Sequence, residues 1–99
     1  MYKVNIRKSA IKELAKLPSN EALKITKELR NLIKNPRPVG CKKLIGYKNL
    51  YRLRIGNYRV IYLIDDEIQV IEITKIGNRK EIYNLWMSNY LAIRHLPLV

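Results

Sequence analysis

The sequence predicts an α+β domain: a small antiparallel sheet with an N-terminal helix pair packed on one face and a C-terminal helix. Three observations carry that reading. Residues 9–33 hold apolar side chains at helical spacing, interrupted once at Leu17-Pro18-Ser19. Residues 50–76 alternate between apolar and polar and break at Gly56-Asn57 and Asp65-Asp66, as consecutive hairpin strands do. Near the end, Ile82, Leu85, Trp86, Tyr90 and Ile93 return to helical spacing and stop before Pro97.

Taken in order, Tyr2 to Ile6 alternates like a strand and lacks the apolar core of a signal peptide. Ser9 is the expected cap of the first helix, which carries Ile11, Leu14 and Ala15 on one face and ends by Pro18. Ser19 or Asn20 is expected to cap the second, with Ala22, Leu23, Thr26, Leu29 and Ile33 as its apolar stripe. Asn35-Pro36-Arg37-Pro38 stops that helix, and a basic connector follows with a short strand expected around Lys43 to Ile45.

Three strands come next: Leu50–Ile55, Tyr58–Ile64 and Glu67–Ile76. A two-residue turn at Gly56-Asn57 pairs Ile55 with Tyr58 and sets Arg54 opposite Arg59. A similar turn at Asp65-Asp66 would place Arg59 opposite Glu72. One sheet face collects Leu53, Ile55, Val60, Tyr62, Ile64, Ile71 and Ile73 as core, and the other carries the arginines. Gly77-Asn78-Arg79 leaves the last strand. With no repeat or linker, residues 1–99 read as one domain, and 91–99 form an apolar tail that the pattern does not explain.

Charge is the outlier in composition. Twenty Lys and Arg against eight Asp and Glu give a net +12. No acid lies between Glu28 and Asp65, an interval holding Arg30, Lys34, Arg37, Lys42, Lys43, Lys48, Arg52, Arg54 and Arg59. Such a field attracts polyanions, although scattered lysines also serve as a merely solvated face. The lone cysteine, Cys41, excludes an internal disulfide and a cysteine zinc cluster, and reads as a reduced loop residue. No apolar run approaches the roughly 18 residues of a membrane span, so a soluble cytoplasmic protein is expected.

No phosphate-binding loop, dinucleotide turn, metal helix or Ser-His-Asp set is present, and the single histidine, His95, reads as a surface residue. No metal and no cofactor are called for. The chemistry rests on Arg52, Arg54, Arg59 and Arg79, with Tyr83 four residues on. Arginine grips phosphate through a planar fork, and several together stabilise charge that grows on a phosphodiester in a transition state. RNA would supply its own nucleophile, the 2′-hydroxyl. Tyr83 among arginines favours its phenolate. Alternatively, Tyr51, Tyr58 and Tyr83 serve as platforms for unstacked bases, with Lys42, Lys43 and Lys48 adding nucleic-acid contacts. Tyr62 reads as core.

The order strand, helix pair, basic connector, Tyr51-Arg52-Leu53-Arg54-Ile55-Gly56-Asn57-Tyr58-Arg59-Val60-Ile61-Tyr62, then Gly77-Asn78-Arg79 with Tyr83, resembles the RelE/ParE superfamily of bacterial and archaeal toxins. The resemblance implies a toxin held by a cognate antitoxin protein. Its RelE branch implies metal-independent cleavage of messenger RNA on the ribosome by 2′-hydroxyl attack. Its ParE branch implies DNA gyrase as the target, and a third option is an RNA-binding member without cleavage activity. On the family's pattern Arg52 and Arg54 fall where nuclease members often carry lysines, Arg59 on the second hairpin strand, Arg79 after the last strand, and Tyr83 at a tyrosine implicated in cleavage. Asn78 stands where many nuclease members carry histidine. The antitoxin is expected to wrap the helix pair or to displace the C-terminal helix, seating on Leu85, Trp86 and Tyr90.

Overall fold

A computed structural model describes residues 1–78; the expected C-terminal helix, the 91–99 tail, Arg79 and Tyr83 lie outside the described residues. Strand β1 (Lys3–Ile6) leads into helices α1 (Lys8–Ala15) and α2 (Ser19–Asn31). Strands β2 (Cys41–Lys43), β3 (Leu50–Ile55), β4 (Tyr58–Asp65) and β5 (Val70–Asn78) follow. The sheet order is β1-β5-β4-β3-β2.

The sheet is mixed rather than antiparallel. Strand β1 pairs parallel with β5, from Lys3 opposite Val70 to Ile6 opposite Ile73, while β2 through β5 are antiparallel neighbours. Hairpin logic joins only consecutive strands, so pairing of the first strand with the last left no local signature. Beyond Ile6 the free edge of β5 is met by a side chain: the Glu13 carboxylate on α1 accepts a hydrogen bond from Ile76 N–H at 3.3 Å.

Both helices begin earlier than their expected serine caps. Arg7 occupies the N-cap position of α1 and Pro18 that of α2, neither with a side-chain cap hydrogen bond. The extended backbone at Pro18 and its carbonyl, which accepts from Ala22 N–H at 2.9 Å, close the first turn of α2 and leave Ser19 inside the helix. The buried stripes match the expected ones only in part, at Leu14 and Leu29. Helix α1 turns Ala10 inward, with Leu14 packed beside the core, whereas Ile11 is exposed. Helix α2 buries Ile25 and Leu29, and Leu32 just beyond its end, while Leu23 is 71% exposed. Two apolar rows meet on α2 at Leu29, and packing against the sheet buries the one that also holds Ile25 and Leu32, each worth roughly 1.5–3 kcal/mol when fully buried.

These side chains close over one sheet face carrying Leu53, Val60, Tyr62, Ile64, Ile71, Ile73 and Ile76, with Val4, Ile6, Tyr51, Ile55 and Tyr58 at the margin. The core face is therefore the expected one, with Ile76 added. Short strand β2 starts at Cys41, upstream of the expected Lys43–Ile45 segment, so Cys41 is a half-buried strand residue rather than a loop residue.

The cationic sheet face and its family

The β3–β4 hairpin has the register its turn demands. Gly56 sits at φ 59°, the left-handed conformation that a two-residue loop requires, and Ile55 pairs with Tyr58. Arg54 therefore stands opposite Arg59. Arg54 is exposed, and its Nε donates to the Gly56 carbonyl at 3.3 Å. Arg59 is 7% exposed, the buried charged residue among the described residues, and its Nη1 donates to the Tyr58 carbonyl at 3.4 Å.

The β4–β5 register differs from the expected one. The connection is Asp66–Gln69, closed by Gln69 at φ 55°, because the Asp65 carboxylate accepts from Glu67 and Ile68 N–H and winds a longer turn. Arg59 consequently faces Gly77, not Glu72, and Glu72 pairs with Leu63 toward the other end of the strands. Glu72 is engaged there by Arg7, with Nη2 to Oε1 at 3.2 Å.

A bulge completes the arrangement. Ile61 pairs with Lys75 and Tyr62 with Ile73, so Thr74 is the extra residue, and its hydroxyl donates to the Ile61 carbonyl at 3.0 Å. Past the bulge the faces of β5 exchange parity: Ile71 and Ile73 are core, and so is Ile76. Lys75 thereby joins the face of Ile61 and Arg52. Residues directly opposite one another share a face, so Lys42, Arg52, Ile61 and Lys75 form one row across β2 to β5. Arg54, Arg59 and Gly77 form the next. Lys42 opposite Arg52 is a second like-charge pair. Lys75 was missed from sequence; the change of apolar spacing from Ile71-x-Ile73 to Ile73-x-x-Ile76 was the signal that could have found it.

An apolar patch adjoins these rows on the same face. Leu50 and Ile61 are buried there, under Leu44, Tyr47 and Leu63. Arg52 lies at the boundary, and its Nε is buried without a hydrogen-bond partner. Tyr51 and Tyr58 do not join the cluster, because strand alternation turns both to the core side. Lys43, opposite Tyr51, also falls on the helix side, and Lys48 is exposed in the β2–β3 connection.

Tyr51 belongs instead to a structural network. Its ring stacks on Tyr62 at 6.1 Å, and the Arg37 guanidinium lies 5.0 Å from its centre while Nε donates to its hydroxyl at 3.2 Å. The same guanidinium forks onto Asp66, at 3.2 and 2.8 Å, and Tyr2 donates to that carboxylate too. Hydrogen bonds from Arg37, then Tyr2, hold the Asp66 pKa below its ordinary value, and the bond to Asp66 raises that of Tyr2. Tyr62 is core, as read from sequence: its hydroxyl donates to the Pro36 carbonyl at 3.0 Å and meets Cys41 Sγ at 3.0 Å. Burial, then the Cys41 contact, pushes its pKa well up. Arg37 is thus a clasp between connector and sheet.

Among the described residues no His, Cys, Asp or Glu cluster is built for a metal, and no helix is long and apolar enough to cross a membrane.

A five-stranded mixed sheet with two helices on one face and cations rowed across the other defines the class of small α+β protein. The profile described as "ParE toxin of type II toxin-antitoxin system, parDE" matches residues 4–83. The chain is 31% identical over 87 residues to the mRNA interferase toxin RelE of Escherichia coli, covering 84% of this chain and 90% of that one. It is 32% identical over 85 residues to the toxin RelE of Mycobacterium tuberculosis, covering 85% and 88%. The archaeal RelE–RelB complex of Pyrococcus horikoshii superposes with a TM-score of 0.72 at 35% identity, over 79% of this chain and 94% of that one. This chain belongs to the RelE/ParE superfamily of type II toxin-antitoxin toxins.

Proposed function

We propose that this toxin is a metal-independent, ribosome-dependent endoribonuclease that cleaves messenger RNA. The observation that carries the reading is the pairing of Arg54 with Arg59 beside the Lys42–Arg52 pair, two like-charge pairs in adjacent rows of one sheet face. Like charges set directly opposite destabilise a sheet, and a bound phosphodiester reverses the sign of that interaction. The E. coli relative is named an mRNA interferase, which supports RNA as the polyanion.

In this mechanism Arg52, Arg54, Arg59 and Arg79 hold the scissile phosphate. The 2′-oxygen bonds to phosphorus, its proton passes to Tyr83 as phenolate, and the bond from phosphorus to the 5′-oxygen breaks. The products are a 2′,3′-cyclic phosphate and a 5′-hydroxyl, formed as the leaving 5′-oxygen takes a proton from water. Guanidiniums transfer no proton at working pH, so their share is electrostatic, on the order of 10²–10³ in rate per donor lost.

The cognate antitoxin is the expected protein partner. Solved relatives include a RelE–RelB complex, and the helix pair leaves Ile11 and Leu23 exposed for an apolar cover.

Two assays in parallel test the reading. Purified protein is expected to cut messenger RNA on programmed ribosomes and to leave DNA gyrase supercoiling unaffected. Inhibition of gyrase with translation intact would overturn it in favour of a ParE-type target. Ribosome-bound RNA left uncut would identify a non-cleaving RNA binder.

A further inference from the structure

We infer that Lys75 is an RNA-backbone contact, carried onto the cationic face by the Thr74 bulge. The inference rests on RNA being the ligand of this face, and not on cleavage.

Without the bulge, regular alternation from Ile71 and Ile73 would turn Lys75 to the core side. With Thr74 as the extra residue, and its hydroxyl on the Ile61 carbonyl, Lys75 is registered opposite Ile61 instead. Ile76, the next residue, is 1% exposed and packs in the core, which fixes the parity independently. Lys75 is half-buried. Across the row, Ile61 on β4 separates Lys75 from Arg52, and Lys42 lies beyond on β2. Three strand spacings put the ends of that row ~14 Å apart. A cationic line of that length, perpendicular to the strands and adjacent to Arg54 and Arg59, suits a nucleic-acid strand crossing the sheet rather than a single phosphate.

Among the described residues no acid is free to offset it. Glu72 shares this face but pairs with Leu63 and is engaged by Arg7, and Asp65 ends β4 with its carboxylate spent on the turn. Lys75 lies diagonally across from Arg59, within reach of a long side chain, so it adds like charge to this face.

The test is fluorescence anisotropy of a short single-stranded RNA oligonucleotide over a salt series. The proteins compared are wild type, Lys75→Gln, Lys75→Arg and, on the exposed side of α2, Lys24→Gln. The slope of log affinity against log salt should fall by about 0.7 in Lys75→Gln, the value of one phosphate contact to a single strand. Lys75→Arg should retain the wild-type slope, and so should Lys24→Gln. A Lys75→Gln slope equal to wild type overturns the inference, as does wild-type protein that does not bind the oligonucleotide. Wild type that binds with the expected slopes but cuts no ribosomal message would instead refute the endonuclease reading and leave Lys75 as assigned.

Discussion

Arg54 faces Arg59 directly across the β3–β4 hairpin, two guanidiniums on neighbouring antiparallel strands. The arrangement puts stability and binding in opposition. Arg54 is the exposed member, so Arg54→Thr is expected to raise unfolding stability by about 0.5 kcal/mol, within the range for relieving opposed like charges. The same change should weaken RNA binding. Urea unfolding midpoints and the oligonucleotide titration read the two effects separately.

Glu13 substitutes for a strand at the open edge of β5. Removing its carboxylate leaves Ile76 N–H without that acceptor, so Glu13→Ala is expected to cost about 1–2 kcal/mol. Glu13→Gln keeps an oxygen at the site and should recover most of the loss. Denaturant unfolding of the two variants measures the difference.

Thr74 ties the bulge to β4 through its hydroxyl. Thr74→Val keeps the shape and removes that donor, at an expected cost of about 1 kcal/mol. Slower amide exchange in the wild type than in the variant around Ile61 and Lys75 would locate the loss at the bulge.

The Arg37–Asp66 clasp sets an acid limit. Its folded pKa is lowered, so the carboxylate contributes stability above its unfolded pKa and loses it as pH falls through the folded value. Thermal midpoints of wild type should therefore fall on acidification more steeply than those of Asp66→Asn. Equal slopes would show that Asp66 is not the group responsible.

Local chemistry made part of this molecule legible in its sequence. Gly56-Asn57 dictated the hairpin register, and strand alternation separated Leu53 and Val60 from Arg52 and Arg59 correctly. The Asp65-Asp66 turn misled because two acids suit both a tight turn and the longer one that Asp65 caps with its own carboxylate. Leu23 was favoured over Ile25 because both rows of α2 are apolar, and only packing against the sheet chooses between them. Parallel pairing of β1 with β5 joins opposite ends of the described chain and left no pattern to read. The cationic face itself was legible as arginines, but not Lys75, whose placement depends on one inserted residue.

The central claim, that this arginine face cuts RNA, is tested most directly by single-turnover cleavage of messenger RNA on programmed ribosomes. Wild type is compared with the Arg59→Ala, Arg79→Ala double variant, with circular dichroism confirming that both are folded. A loss of at least about 100-fold is expected, because at least one electrostatic donor of ~10²–10³ is removed. Cleavage at the wild-type rate by the folded double variant would contradict the account.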